Sequence, residues 1–549
     1  MESPEEAKLQ CFLQWLEVNG VQLRGCKIKY SDSCKGFGIF SASSVPDGIL
    51  LVVPLHLAIT AMRVLQDPLC GPACSALRDE GLLDDRLLII LFLTVERLRK
   101  NSLWKPYLDM LPNTFTNSLW FSDNELLELR GTPLYRATEL QKKNLLALFN
   151  EKVKKLADKL LIDDGQLESD VTFSDFLWAN SVFWSRAQNI PLPHLYAFPD
   201  TQENQDATIS SNSGENGRSD SHVSKPQTFE DGTQVAGQQG ETVWVEGIVP
   251  GIDFCNHDCK ALATWEVDGM GSMTGVSCSM YLFSAGQNPF EKETEISISY
   301  GNKGNEELLY LYGFVMKNNP DDYLMVNYPV DAIQNVAFSE QKEQLLEAQK
   351  AELRCLLPRS LLDHGFFPPS ITQGEKDDKC KAAPASSYSW SGHRKSPSYL
   401  NTLVFPDDFL TALRTIAMKE NELYQVVSLL EELVGPEGKR QPSEAEVRAA
   451  VWEVCGDSGG LQLLVDLLNI KLMDLEESSG TEESDVELLK KAQGSEVPED
   501  CKRSDSNGTQ PLGRNIWASI VYRLGQKQLT RLFLKEAEHA LQLALSEGN

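Results

Sequence analysis

Asp253, Asn256 and His257 fall within one seven-residue stretch, Gly251-Ile252-Asp253-Phe254-Cys255-Asn256-His257, and two phenols follow them: Tyr300 in Glu295-Ile296-Ser297-Ile298-Ser299-Tyr300-Gly301, and Tyr312 in Leu311-Tyr312-Gly313-Phe314. A carboxylate, an amide, an imidazole and two hydroxyls set among apolar residues suit a half-buried pocket for a small polar ligand. The same alternation suits two core strands with turns, and pattern alone leaves both readings open. Arg186, closing the run Val182-Phe183-Trp184-Ser185-Arg186-Ala187, could be a plain surface charge. Beside a pocket it would suit a carboxylate bidentately.

The pair Gly36-x-Gly38 lacks the third glycine and the following helix of a dinucleotide site, so a Rossmann reading fails. These glycines serve either backbone geometry or the close approach of a ligand to the main chain. The pairs Cys70/Cys74 and Cys255/Cys259 have no histidine or second cysteine pair at ligand spacing, so no metal site is expected.

The elements that must position these groups are of two kinds. Residues 8–19 carry Leu9, Phe12, Leu13, Trp15 and Leu16 at helical spacing and stop at Asn19-Gly20. A β-rich section follows: Cys26 to Tyr30 alternates, Lys35-Gly36-Phe37-Gly38-Ile39-Phe40 continues it, and Ile49-Leu50-Leu51-Val52-Val53-Pro54 reads as a buried strand after the turn Pro46-Asp47-Gly48. These are hairpins, not βαβ units. From about 82 to 184 the pattern turns helical, broken by the aromatic and proline-rich Ser102–Pro112. After Phe314 the pattern is almost entirely helical. Three polar segments, about 200–240, 370–395 and 476–512, read as disordered insertions.

The 549 residues allow two to four domains. A net charge of −28 argues against a nucleic-acid or membrane-surface partner, which would need concentrated Lys and Arg. No signal or transit segment is evident after Met1, and the longest apolar run, near Leu87–Val95, is about half a membrane span. Twelve scattered cysteines fit reduced thiols and a cytoplasmic or nuclear compartment.

Taken in order, Lys35-Gly36-Phe37-Gly38, Ser102-Leu103-Trp104-Lys105-Pro106-Tyr107 to Leu111-Pro112, Ser185-Arg186-Ala187, Val249–His257, Ile298–Gly301 and Asn305–Phe314 resemble the SET-domain protein methyltransferases of the Rubisco large-subunit methyltransferase class. The tail segment Tyr522-Arg523-Leu524-Gly525-Gln526-Lys527-Gln528-Leu529 looks like the last helix of that class's second domain. The resemblance implies an α+β chain: a β-rich, pseudoknotted SET domain over 1–330 with a helical insertion at about 82–184, then an all-α substrate-binding domain over 331–549. It implies S-adenosylmethionine as cofactor and a non-histone protein as substrate, with lysine favoured over histidine as the target. A catalytically silent SET scaffold is the remaining alternative.

By position, the resemblance places Lys35, Gly36 and Phe37 along the cofactor and Arg186 at its carboxylate. Asn256 and His257 fall at its amino and adenine ends, and Asp253 at a cofactor or substrate contact. Tyr300 would face the methyl-transfer channel, and Tyr312, Gly313 and Phe314 would close the pocket, with Tyr300 and Tyr312 carrying the catalytic role. Trp265, in Thr264-Trp265-Glu266-Val267, stands where the family often has a tyrosine and would touch substrate. Gly251 likewise replaces a bulkier residue common before the aspartate.

Overall fold

The computed structural model describes residues 4–32, 35–42, 48–166, 170–193, 196, 242–286, 290–369, 394, 396–434, 440–493 and 512–548. The segment about 200–240 lies outside them, as does nearly all of 370–395. By internal contacts the chain divides into two units: residues 1–115 with 143–302, and 116–142 with 303–549. Among the described residues no helix is long and apolar enough to cross a membrane.

Among the described residues the first unit holds ten strands: β1 (Gln22–Leu23), β2 (Cys26–Asp32), β3 (Gly36–Ser41), β4 (Ile49–Pro54), β5 (Ile59–Thr60), β6 (Gln188–Pro193), β7 (Thr242–Ile248), β8 (Ala263–Asp268), β9 (Ser279–Ser284) and β10 (Glu295–Ile296). They form three small sheets, ordered β1-β4-β9-β8, β10-β3-β2 and β5-β7-β6. Every pairing in them is antiparallel. The β4 run is apolar at every position, and it is buried throughout between two neighbours, as a strand covered on both faces must be. In the hairpin β2–β3, Tyr30 sits opposite Phe37 with their rings edge to face at 5.6 Å.

The helical stretch read from the sequence is present, with Asp85–Leu98, Lys105–Leu108 and Phe173–Arg186 in the first unit. Two shorter helices, Ala61–Leu65 and Gly71–Asp79, precede it. Thr172 starts the last of the insertion helices by accepting from the Asp175 N–H, while the Asp175 carboxylate accepts from Thr172. This capping box satisfies otherwise orphaned groups of the first turn. Fourteen residues later the helix ends at Arg186, and the chain turns extended into β6.

The second unit differs from expectation in four respects. Residues 116–142 of the insertion belong to it, because Phe121, Leu126, Leu129 and Leu134 are buried in one cluster with Leu309, Val315, Ala518, Val521 and Tyr522. The division also falls at 302/303 rather than near 330. It is not wholly helical: β11 (Tyr323–Asn327) pairs antiparallel with β12 (Arg354–Pro358). The alternating burial of both strands puts Leu324, Val326, Cys355 and Leu357 into the main core of this unit.

The fourth difference is at 476–493, expected to be disordered. These residues are helical, in Asp457–Ser479 and Glu482–Gln493, and 494–511 lie outside the described residues. Asp485 is fully buried there, 2.6 Å from both Arg523 and Lys527 of the long helix Arg514–Glu547. The acidic run is therefore core at one position and paired at others, with Glu476 and Glu482 on Arg531. Acidic residues in the first turn of Glu482–Gln493 also complement the helix dipole.

Candidate active site

In the first unit the stretch read as chemically competent forms a one-turn 3-10 segment, Ile252–Phe254, entered through Gly251 at φ 105°. That conformation belongs to glycine at little cost, which accounts for the small residue before Asp253. Beyond the turn the chain runs alongside 296–300: Ile298 N–H donates to the Asn256 carbonyl at 3.0 Å, and Asp258 N–H donates to the Ile298 carbonyl at 3.1 Å. Backbone bridges also join Ile298 to His257 and to Ala263.

Two carboxylates anchor this arrangement. Asp253 accepts from the Tyr107 hydroxyl at 2.7 Å, from Arg186 Nη1 at 2.9 Å and from the Gly251 N–H at 2.9 Å. Arg186 Nη1 also donates to the Asp253 carbonyl at 3.0 Å, and its guanidinium lies 5.2 Å from the Phe254 ring. Burial pushes the Asp253 carboxyl up, and Arg186, Tyr107 and Gly251 all oppose it. For Tyr107, burial and then the neighbouring Asp253 push the phenol far up, so it stays a donor. Arg186, expected at a ligand carboxylate, is seen here bonded to the Asp253 carboxylate. The contacts of Asp253 are likewise internal.

Glu295 is the second carboxylate. It accepts from Asn256 Nδ2 at 2.7 Å and pairs with Lys35 Nζ at 2.6 Å, which ties the turn before β3 to the segment after the 3-10 turn. The Lys35 N–H in turn donates to Asp32 at 2.7 Å. Here the two glycines separate. Gly36 sits at φ 73° with open space where a Cβ would be, so its role is conformational. Gly38 has ordinary φ, but a Cβ there would lie 2.9 Å from Glu295 Oε1 and 3.0 Å from Asn256 Nδ2, so its role is close approach.

Tyr300 is fixed at both ends. Its hydroxyl donates to the Cys255 carbonyl at 2.8 Å, and its N–H donates to His257 Nδ1 at 3.1 Å. The two rings lie 5.1 Å apart. An acceptor Nδ1 leaves any proton of neutral His257 on Nε2. Trp265 is half-buried on β8, two residues beyond Ala263, the residue that bridges Ile298. The first unit thus gathers Lys35, Gly36, Phe37, Arg186, Asp253, Asn256, His257, Trp265 and Tyr300.

Tyr312, Gly313 and Phe314 are in the second unit. Leu308–Tyr312 is a π-helical turn ended by Gly313 at φ 77°, whose carbonyl accepts from Thr116 Oγ1 at 2.8 Å. A Cβ at Gly313 would strike Thr116 and Asn117 at 2.6–2.7 Å. The Tyr312 and Phe314 rings are 6.2 Å apart, and burial raises the Tyr312 phenol.

Tyr107 and Glu295 were not singled out from the sequence. Tyr107 stood in the aromatic run 102–112, where nothing local distinguishes it from packing. Glu295 begins the Tyr300 segment, and only its register opposite Phe40 shows that it faces the Gly38 side.

The fold and this site define a class. The chain has the SET-domain fold in the form taken by Rubisco LSMT: a solved structure of the SET domain of LSMT bound to lysine and AdoHcy superposes with a TM-score of 0.60, at 18% identity, over 98% of this chain and 93% of that one. A structure of Rubisco LSMT bound to AdoMet gives 0.59 at 19% identity, over 99% and 93%.

Among curated proteins, the chain is 31% identical over 181 residues to the ribulose-1,5 bisphosphate carboxylase/oxygenase large subunit N-methyltransferase, chloroplastic, of Pisum sativum, covering 33% of this chain and 35% of that protein. It is 30% identical over 177 residues to the [fructose-bisphosphate aldolase]-lysine N-methyltransferase, chloroplastic, of Arabidopsis thaliana, covering 32% and 35%. To the actin-histidine N-methyltransferase of Gallus gallus it is 23% identical over 373 residues, covering 66% and 50%. The matched part thus spans about a third to a half of these relatives' length. No family model matches the chain. The resemblance to the Rubisco LSMT-like SET methyltransferases read from the sequence is shown by both comparisons.

Proposed function

We propose that this chain is an S-adenosylmethionine-dependent protein N-methyltransferase that modifies a lysine of a non-histone protein. The observation that carries the reading is Tyr300, held by the Cys255 carbonyl and by His257 beside Asn256, on the fold that LSMT uses. The residues present fit the cofactor. Gly38 lets Asn256 and Glu295 approach β3 closely, Asn256 keeps its amide oxygen as an acceptor while Nδ2 is held, and Lys35 and Glu295 offer opposite charges for a zwitterionic amino-acid end. When bound, the cofactor supplies an already activated sulfonium methyl.

The work left to the protein is then positioning, which is worth several kcal/mol where reacting groups are held in line. Tyr300 is locked at its hydroxyl and its N–H, so its ring makes a rigid wall for an entering amine. A lysine ammonium loses its proton more readily on leaving water, about 1.4 kcal/mol for each unit by which its pKa falls. The Tyr300 hydroxyl oxygen and nearby backbone carbonyls accept weak CH···O contacts from a polarised methyl. Asp253 acts through Arg186 and Tyr107 by fixing the 3-10 turn from which Asn256 and His257 follow. Tyr312, Gly313 and Phe314 in the second unit, and Trp265 in the first, are proposed for cofactor and substrate contacts from the resemblance alone.

Histidine is the second reading, favoured by one observation: the actin-histidine relatives match over 66% of this chain, against 33% for the first plant relative. A cytoplasmic or nuclear setting is proposed from the nine unpaired cysteines among the described residues. The test is incubation of the protein with labelled S-adenosylmethionine and cell lysate, then mapping of the modified residue by mass spectrometry. A labelled lysine supports the first reading and a labelled histidine the second. A lysate left unlabelled while calorimetry shows cofactor binding points to a silent scaffold.

A further inference from the structure

We infer that Asn305, Asp322 and Asn319 form a buried staple that positions the Tyr312-Gly313-Phe314 loop, with Asn305 as its central positioning residue. The Asn305 side chain spans the loop: Nδ2 donates to the Met316 carbonyl at 3.0 Å, and Oδ1 accepts from the Met316 N–H at 2.8 Å. One amide thus pairs with both backbone groups of a residue eleven positions on, closing 305–316 into a ring that contains the π-turn and Gly313. Asp322 holds that amide in place, with Oδ1 accepting from the Asn305 N–H at 3.0 Å and Oδ2 from Nδ2 at 3.3 Å. Asn319 adds a second tie across the same two strands of chain, Nδ2 donating to the Lys303 carbonyl at 2.8 Å.

All three side chains are buried, and their remaining acceptors are also used: Asn319 Oδ1 accepts from the Asp321 N–H at 3.1 Å, and Asp322 also takes the Tyr323 N–H. A buried polar network is kept only where its members are satisfied and its geometry is unique. Gly304 shows how tight the seat is, since a Cβ there would lie 2.6 Å from the Tyr323 ring and 3.2 Å from Asp322 Oδ1. A π-turn has poorer intrinsic support than an α-helix and is held by its surroundings. The staple supplies that support at both feet of the loop. Its consequence for catalysis rests on the proposed role of Tyr312 at the methyl-transfer site.

The test separates the staple from that role. Hydrogen exchange of full-length wild type and Asn305→Ala is compared peptide by peptide. Faster exchange confined to 308–316, by roughly tenfold for the loss of a buried hydrogen-bonded amide, supports the staple. Unchanged exchange at 308–316, or an increase spread evenly over 303–549, overturns it. Asn305→Asp, nearly isosteric, serves the same comparison should the alanine variant not fold. The double exchange Asn305→Asp with Asp322→Asn restores one donor–acceptor pair and returns part of the protection. In methyl transfer, Asn305→Ala lowers kcat roughly tenfold more than it raises KM, and the double exchange recovers part of the loss. If wild type neither binds cofactor nor transfers methyl groups, the proposed function fails while the exchange result still decides the staple.

Discussion

Asp253 and Asp485 are both buried carboxylates bonded to arginine, and they do opposite kinds of work. Asp253 in the first unit is shared among one cation, one phenol and one backbone N–H, and it shapes the turn that carries Asn256 and His257. Asp485 in the second unit faces two cations, Arg523 and Lys527, and it ties two helices of the core together. Burial and an arginine partner therefore do not mark a functional site. What differs is the company: Asp253 adjoins chemically competent side chains within a few residues, whereas Asp485 adjoins only its counter-ions.

The comparison breaks most visibly at Asp485. Asp485→Asn leaves the buried Lys527 without its ion-pair partner and Arg523 with Glu128 alone, and lowers stability by roughly 3–5 kcal/mol. Urea unfolding measures it, and a loss under about 1 kcal/mol would show that water reaches the pair. Burial pulls the Lys527 ammonium down while Asp485 pulls it up, so the variant also favours neutral Lys527.

Asp322 extends the series to a carboxylate whose side chain is held by the two Asn305 N–H donors, and burial pushes it up to about 6. The folded chain therefore binds this proton more tightly than the unfolded one. Between about pH 4 and 6 the native state holds more protons, so this contribution falls as pH rises through that window and is level above it, a change of about 3 kcal/mol. Asp322→Asn removes that slope from the pH profile of stability; an unaltered slope would place the effect elsewhere.

Asp253→Asn costs less than Asp485→Asn, roughly 2 kcal/mol, because a single cation loses its partner and Arg186 keeps 18% of its side-chain surface exposed. It should nonetheless reduce methyl transfer more than Asp485→Asn does, once stability is matched by temperature. Equal effects on transfer would dissolve the distinction between the two clusters. Smallest is Tyr107→Phe, about 1 kcal/mol for one hydrogen bond, read by thermal unfolding.

These clusters also show what was legible in the sequence. The hairpin through Lys35–Phe40, the buried run Ile49–Pro54 and the helix ending at Arg186 were readable because period and capping are local signals. The ordered motifs around Asn256, Tyr300 and Tyr312 pointed to the SET fold through their resemblance to a known family, not through periodicity. Asp485 was not readable: an acidic stretch looks solvated until Arg523 and Lys527, about forty residues away, are placed against it. Tyr107 and Glu295 were hidden likewise, their partners lying 146 and 260 positions away for Asp253 and Lys35. The strands β11 and β12 are five residues each, too short for alternation to outweigh the surrounding helical pattern.

The central claim is that Tyr300 lines a methyl-transfer channel in the first unit. Its most direct test is transfer of labelled methyl from S-adenosylmethionine to lysate protein by wild type and Tyr300→Phe, with cofactor binding followed by calorimetry on the same samples. The account predicts cofactor bound by both proteins and transfer reduced at least tenfold in the variant, as expected when an oriented hydroxyl is removed at the reacting centre. Transfer unchanged in Tyr300→Phe, or no cofactor bound by wild type, would contradict it.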